Sequence, residues 1–322
     1  MKTIYDSNSD YNFMKPTGVG LGNFDGLHLG HMALINTLIN ESLLNSLESV
    51  VYTFMKHPEN IIRKKLFKPL ITTIDKKIEL LNQTGLKYAY FEKFDEEYSR
   101  IKPENFVKNV LVEKLNMKLA VAGYDYRFGY RGQGDINLLK ELGKKFGFKV
   151  IVIPPVKLDD KIVSSSIIRK YIKKGCMGKV FLLLGRHYSI TGKVEKGKGI
   201  GKTLGFPTVN IIPEKHVVFP AKGVYISKVK IKDSIHFSIT NVGNNPTFDN
   251  DGNISVETFI LDFSSEIYGE HIEIYFIEKI RGEKKFNSVE QLVEEIKKDV
   301  LKAKDYFCSH KRYQPVKGGI LE

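Results

Sequence analysis

Cysteine is nearly absent from this chain. Its 322 residues hold two, Cys176 and Cys308. That is too few for a disulfide framework or a cysteine zinc site, and a reducing cytoplasm is the expected location. No run of about 18 apolar residues occurs, so no membrane-spanning helix is expected. The stretch from Met1 to Asp10 lacks the apolar centre of a signal peptide. The pattern Gly-x-x-x-x-Gly-Lys-Ser/Thr is missing, which excludes a P-loop nucleotide site. Although the net charge is +13, there is no block of five like charges. The lysines fall in scattered pairs, Lys64-Lys65, Lys76-Lys77, Lys173-Lys174 and Lys297-Lys298. They read as solvated surface that helps to attract polyphosphate ligands, not as a nucleic-acid face. With 42% hydrophobic and 27% charged residues, the composition is that of a soluble globular protein long enough for two domains.

What is present changes rhythm part-way along. The first half alternates short apolar runs (Val50 to Phe54, Tyr88 to Phe91, Leu119 to Ala122, Lys149 to Ile153) with helical spacings (Asp75 to Leu81, Phe106 to Leu115, Leu138 to Phe146). This βαβα order predicts an open, mainly parallel, Rossmann-like sheet that binds ligands beyond the carboxyl ends of its strands. After about Leu184 alternating strands take over: Tyr188 to Glu195, Thr208 to Ile212, Val224 to Lys230, Ile235 to Val242, Ser255 to Phe263 and Ile272 to Ile280. In the last, Ile272, Ile274, Phe276 and Ile280 are expected on one face, with Glu273, Tyr275 and Lys279 on the other. Six such strands predict a small antiparallel barrel. A final helix closes it, with a capping box at Ser288 and Gln291 and a stripe of Leu292, Val293, Ile296, Val300 and Leu301. The expected domains are residues 1–183 and 184–322.

The most informative segment is Gly22-Asn-Phe-Asp-Gly-Leu-His28-Leu-Gly-His31. It lies between an apolar strand containing Val19 and Leu21 and a helical pattern through Met32, Leu34, Ile35, Leu38 and Ile39. Small residues let a ligand approach the backbone there, and free amides at the helix start favour an anion. The His28 and His31 imidazoles can donate to a phosphate that gains charge during reaction. Such a site suits nucleotidyl transfer from ATP. A second clamp is expected at Val163-Ser164-Ser165-Ser166-Ile-Ile-Arg169, where hydroxyls open another helix and Arg169 follows within a turn. His28, Asp125 and Ser164 each follow a predicted strand end.

In the barrel half, Gly197, Gly199, Gly201 and Gly205 space a loop that can fold over phosphates and ends in Pro207-Thr208-Val209-Asn210. Thr208 and Asn210 point the same way along a strand and offer two oxygen ligands to Mg²⁺. Glu257 shares a strand face with Phe259, Leu261 and Phe263. A carboxylate on so apolar a face is costly unless paired or used, and it is the candidate general base.

Taken together and in order, these segments resemble the prokaryotic bifunctional riboflavin kinase/FMN adenylyltransferase family, from Gly18 to near Phe307. The first half carries the resemblance in Gly22–His31, Thr53–Pro58, Gly123–Gly129 and Val163–Arg169. The second half carries it in Leu184–Arg186, Leu204–Thr208 with Asn210, Gly223–Tyr225, Asn241–Gly243 with Pro246–Phe248, Glu257–Phe259 and Arg281–Phe286. The resemblance implies phosphorylation of riboflavin to FMN in the barrel and adenylylation of FMN to FAD, with release of pyrophosphate, in the sheet domain. It implies Glu257 as base, Thr208 and Asn210 at Mg-ATP, and Gly197, Gly201, Gly205 and Pro207 in the flap. In the sheet domain it implies Gly22, Asn23, Phe24, His28, His31, Asp125, Ser164, Ser165 and Arg169 at ATP, with His28, His31 and Arg169 catalytic. Flavin contacts are implied at Phe54 and Pro58, and in the barrel at Tyr225, Arg281 and Phe286. The chain departs from the family at Ile200 and Lys202, where arginines are common, at Val209 for alanine, at His187 for proline and at Asp125 for asparagine. Two rival readings stay open on the residues alone. One is a nucleotidyltransferase fused to an RNA-binding barrel, with the lysines around 193–202 on nucleic acid; the other is a protein that stores FMN without turnover.

Overall fold

The computed structural model describes residues 1–6, 11–62, 68–197, 199–214, 216–244 and 254–310. Pro246, Thr247 and Phe248 and the pair Lys64-Lys65 lie outside the described residues, as do the side chains of Ile200 and Lys202. The chain divides into two compact units, residues 1–165 and 166–322.

The first unit is built on a parallel sheet. Its strands are β1 (Lys2–Tyr5), β2 (Thr17–Leu21), β3 (Glu48–Phe54), β4 (Tyr88–Glu92), β5 (Met117–Gly123) and β6 (Lys149–Ile153), in the order β1-β4-β3-β2-β5-β6. Between them run α1 (Leu29–Leu44), α2 (Pro58–Ile62), α3 (Ile74–Asn82), α4 (Pro103–Asn105) and α5 (Ile136–Phe146). The stretch Phe106–Lys114, expected as an ordinary helix, is π-helical. Both sheet faces are covered, so the strands are apolar on both sides. Val19, Leu21, Val50, Tyr52, Tyr90 and Ala120 pack with Phe106, Val107, Leu111 and Leu139. On the reverse face, Val51, Ala89, Phe91 and Val121 pack with Leu34, Ile35 and Leu38 of α1 and Leu81 of α3. A small hairpin that the hydrophobic pattern did not announce, β7 (Lys157–Leu158) and β8 (Lys161–Ile162), separates β6 from the Ser164 segment. Its turn residues Asp159 and Asp160 both have positive φ, 47° and 59°, as the tightest hairpins require.

Chain order runs outward from β2 through β3 to β4 and then jumps back to β5 on the other side of β2. A crevice therefore opens beyond the carboxyl ends of β2 and β5. The loops after β2, β5 and β6, three neighbouring strands, all leave from this edge.

The second unit begins within α6 (Ser165–Lys174), at Ser166, and continues with α7 (Met177–Leu184). Both pack on the barrel side: the Ala221 amide donates to the Ile172 carbonyl, and Gly175 lies against Tyr225 and Lys279. The barrel strands are β9 (Tyr188–Glu195), β10 (Thr208–Pro213), β11 (Gly223–Ile231), β12 (Ser234–Asn244), β13 (Ile254–Ile260) and β14 (His271–Arg281). They close in the antiparallel order β10-β13-β12-β11-β14-β9. A single helical turn, α8 (Ile200–Thr203), interrupts the stretch expected as a loose loop. Inside the barrel, fully buried hydroxyls form a chain: Ser227 with Ser238 at 2.8 Å, Ser227 with Thr240 at 2.7 Å, and Thr240 with Thr258 at 2.9 Å. Each satisfies the next, so burial costs little.

The closing helix α9 (Val289–Ser309) is capped by Ser288, whose hydroxyl accepts from the Gln291 amide at 3.3 Å. The Gln291 side chain reaches back to the Asn287 amide at 3.2 Å, one residue before the cap. Ala303 and Phe307 pack on β11, β12 and β14, with Phe307 stacked on Phe237 at 3.9 Å. Leu301, expected in the apolar stripe, is 60% exposed, because the buried face turns through Asp299, Ala303 and Phe307. Two register shifts against β11 correct the facing of β14. Ile280 joins Ile277 in the cluster beneath α9, and Lys279 comes opposite Tyr225.

At the end of β4 a carboxyl is buried among phenols. Glu92 is 3% exposed and accepts from the Tyr52 hydroxyl at 2.8 Å. Tyr52 also bonds Tyr98, and Asp6, beside Glu92, is bonded by Tyr90 and Lys114. Burial pushes the Glu92 carboxyl up to about 7. A folded value above the unfolded one means that this group favours the fold at acid pH, and that the contribution is lost as pH rises through about 7. Glu92→Gln is expected to raise the first unit's thermal transition at pH 8, by about 1–3 kcal/mol of stability, and to leave it nearly unchanged at pH 5. Denaturation scans at the two pH values check this.

Candidate active sites

The loop between β2 and α1 is held in a costly backbone path. Phe24 and Leu27 both have positive φ, 48° and 40°, which bulky residues rarely adopt. Four side chains hold it there. Asp25, 2% exposed, accepts from the amides of Ile71 at 2.9 Å and Thr72 at 3.1 Å. Thr72 in turn accepts from the Gly26 amide, and Ser165 donates to the Asp25 carbonyl at 2.9 Å. Lys77 of α3 donates to the Asn23 carbonyl at 2.8 Å.

This path brings the two histidines together. Their rings stack with centroids 3.7 Å apart and 14° between planes, and Phe24 lies 5.3 Å from His31. His28 caps α1, its Nδ1 accepting from the His31 amide at 3.3 Å. With Nδ1 an acceptor, the neutral ring carries its proton on Nε2. Gly22, Asn23 and Phe24 belong to the same turn. Phe54 and Pro58 line a narrow cleft with Asn23, Asp25, His57, Thr72 and Lys77. Asp125 stands exposed in the turn after β5. Ser164 and Ser165 follow the β7–β8 hairpin, and Arg169, 6% exposed, lies one turn on along α6.

Asp25 and Lys77 were not singled out from the sequence. Asp25 lies inside the Gly22–His31 motif, where it was given no role of its own. Lys77 looked like half of a solvated pair, yet it is 7% exposed while Lys76 makes a surface ion pair with Glu79. The signal was positional: Lys77 falls on the same helical face as Leu81, the buried side of α3.

In the second unit the register assembles the site. Asn210 of β10 faces Glu195 of β9 on one side and Glu257 of β13 on the other, and Glu257 faces Asn241 of β12. Glu195, Asn210, Glu257 and Asn241 thus form one row across four strands, on the face opposite the buried hydroxyls. Thr208 lies two residues along β10, opposite Phe259. The apolar face expected around Glu257 is met in part: Phe259 and Leu261 pack in one cluster, but the cross-strand neighbours of Glu257 are amides and β13 ends at Ile260. Phe263, past a turn at Asp262, packs on His236 instead.

The flap lies on this row. A Cβ on Gly197 would stand 2.0 Å from the Asn210 amide nitrogen, and one on Gly201 would stand 2.4 Å from the Phe206 carbonyl and 3.0 Å from the Thr208 hydroxyl. Only hydrogen fits at either position. Gly205 and Pro207 complete the turn into β10. The structure does not bring the three remaining expected flavin residues to this row. Tyr225 is enclosed in the barrel interior, its hydroxyl bonded to the Ala221 carbonyl and its ring edge-on to Phe276. Arg281 pairs with Asp299 at 2.8 Å and lies over Phe286, which ties β14 to α9.

Comparison with known proteins follows the same two-part division. Residues 11–167 match the family model for FAD synthetase and residues 184–307 match that for riboflavin kinase. Bifunctional riboflavin kinase/FMN adenylyltransferases are similar over nearly their whole length. The Buchnera aphidicola protein (from Acyrthosiphon pisum) is 36% identical over 91% of this chain and 94% of its own. The Bacillus subtilis protein is 34% identical over 96% and 99%. The chain belongs to this bifunctional family. It has an FAD synthetase domain followed by a riboflavin kinase domain, and enzymes of the family use ATP. A crystal structure from Streptococcus pneumoniae, described as a macrolide-efflux protein, shares the fold with a TM-score of 0.86 and 30% identity, over 94% of this chain and 99% of that one. In the present chain no helix among the described residues is long and apolar enough to cross a membrane.

The packing of the flap yields a test. Gly197→Ala forces Asn210 or the loop to move, and is expected to lower riboflavin kinase activity about tenfold or more. FMN adenylyltransferase activity of the same preparation, as an internal control, is expected to stay at the wild-type rate. Steady-state assays of both activities check it.

Proposed function

We propose that the chain makes FAD from riboflavin in two ATP-dependent steps, one in each domain. In the kinase domain Glu257 accepts the proton of the ribityl 5′-hydroxyl. That oxygen attacks the γ-phosphorus of ATP, the bond to the β-phosphate oxygen breaks, and FMN and ADP result. Thr208 and Asn210, hard oxygen donors on one face of β10 beside the Glu257 carboxylate, suit Mg²⁺, which when bound would neutralise phosphate charge. The flap of Gly197, Gly201 and Gly205 covers the triphosphate.

In the synthetase domain an oxygen of the FMN phosphate attacks the α-phosphorus of ATP and pyrophosphate leaves. His28 and His31 stabilise the charge that builds on the phosphates, with Ser164, Ser165 and Arg169 as the second clamp. The backbone of Gly22, Asn23 and Phe24 receives ATP with Asp125 close by, and Phe54 and Pro58 take the flavin. The functional border is set at 183/184, where helical rhythm ends and the riboflavin kinase match begins. A cytoplasmic setting accords with two free cysteines.

The observation that carries this reading is the pairing of Asn210 with Glu257, a carboxylate placed directly beside the nucleotide-side oxygen ligands. Riboflavin incubated with ATP and Mg²⁺ is expected to give FMN and then FAD on chromatography; retention of nucleic acid without either product refutes it. His28→Ala is expected to slow FAD formation about 10²–10³-fold, the scale for losing one charge-stabilising donor, so that FMN accumulates. Glu257→Gln is expected to abolish FMN formation while FMN supplied directly is still converted to FAD.

A further inference from the structure

Lys77 is an ammonium buried beneath the strained loop. Its Nζ donates to the Asn23 carbonyl at 2.8 Å and to the Thr53 hydroxyl at 3.4 Å, and Thr53 itself donates to the same Asn23 carbonyl at 3.0 Å. Lys77 also lines the cleft with Asn23, Asp25, Phe54, His57 and Pro58. Asn23 immediately precedes Phe24, the first residue driven to positive φ. A carbonyl held from two sides at that point fixes the direction in which the turn leaves β2, and with it the placement of Phe24 and His28.

We infer that Lys77 is a positioning residue for adenylyl transfer: its ammonium holds the Asn23 carbonyl and so keeps the Gly22–His28 turn in its reactive path. This inference rests on the reading that the turn is the adenylylation site. The groups that face Lys77 are few. Asp25 from the same turn favours the charged form. His57 from the segment after β3 lines the same cleft, and Thr53 and Thr72 contribute neutral hydroxyls. On its own helix, Lys76 and Glu79 pair with each other at the surface. Burial outweighs Asp25 and brings the Lys77 ammonium down to about 8 from the usual 10.5. The contact is therefore charge-assisted below about pH 8 and is weakened above it, where only a neutral amine remains to donate. Stability runs the other way: the folded chain binds fewer protons here than the unfolded one between those values, so the fold gains stability as pH rises through them. The titration of Lys77 itself is then not a cause of unfolding.

The experiment uses the full chain and measures FMN-to-FAD and riboflavin-to-FMN conversion from about pH 6.5 to about 9.5. Wild type is expected to lose adenylylation kcat with a midpoint near pH 8, a limb absent from the kinase profile. Lys77→Met keeps the length and apolar stem without the charge. It is expected to lower adenylylation kcat about 10–100-fold, change KM for ATP less than threefold, remove the limb and spare the kinase. Thr53→Val takes away one acceptor of the ammonium and is expected to move the limb to lower pH, so it decides the matter if Lys77→Met does not fold. Adenylylation within threefold of wild type in Lys77→Met, or a limb that both variants leave unmoved, overturns the role of Lys77. If His28→Ala also spares adenylylation, the placement of the reaction at this turn fails first. If His28→Ala abolishes it and Lys77→Met does not, the fault lies with Lys77 alone.

Discussion

The reactive edge of the first unit depends on one buried carboxylate. Asp25 sits in a turn with two bulky residues at positive φ, each costing of the order of 1–3 kcal/mol. The carboxylate gathers the amides of Ile71 and Thr72, hydrogen bonds to a charged acceptor that are each worth about 1.5–3 kcal/mol. The two effects are of the same size, so the turn keeps its path only while the 71–72 segment is docked against it. Ser165 bonds the Asp25 carbonyl, so the start of the second clamp is fixed by the same residue. Segments some fifty and a hundred and forty positions away in the chain thus meet at one side chain, and the stacked histidines inherit their placement from it.

The second unit solves its placement problem by register. A strand's side chains alternate, so a slip of one residue along β13 would send Glu257 into the barrel and Thr258 out to solvent. The chain of hydroxyls from Ser227 through Thr240 to Thr258 forbids that slip, since it would leave buried hydroxyls without partners. The same lock puts Glu257 beside Asn210 and Asn241. Polar residues in the barrel core, a weakness by simple hydrophobic accounting, are what make the outer row unique.

Elements with a clear period were legible in the sequence. β6 and β9 fall at the expected residues, and the helix after His28 and the six-stranded barrel are as read. What was not legible depends on partners far along the chain. Lys77 sits in a charged doublet, and only the docking of α3 separates the buried lysine from the one that pairs with Glu79. Arg281 and Tyr225 carry the family motif, yet their present partners are Asp299 and Ala221, contacts no local spacing encodes. Ile280 changes face because β14 shifts register against β11, and a bulge leaves no mark on an alternating pattern. The Glu257 position was inferred from an apolar face, whereas its cross-strand neighbours are the amides Asn210 and Asn241.

The two sites differ in a way that follows from their nucleophiles. An alcohol is a poor nucleophile until its proton is taken, and the kinase row accordingly supplies acceptors: Glu257, Asn210 and Thr208. The phosphate of FMN already carries negative charge and needs no base. What limits its attack on ATP is the accumulation of charge on oxygens, which calls for donors. On the proposed reading the first unit supplies them as imidazoles, hydroxyls and helix-start amides, and the carboxylate in its loop, Asp25, is engaged by backbone amides. The buried ammonium of Lys77 engages another acceptor of this loop, the Asn23 carbonyl. One chain therefore keeps acceptor-rich and donor-rich sites in separate folds, because a site built for either nucleophile would work against the other.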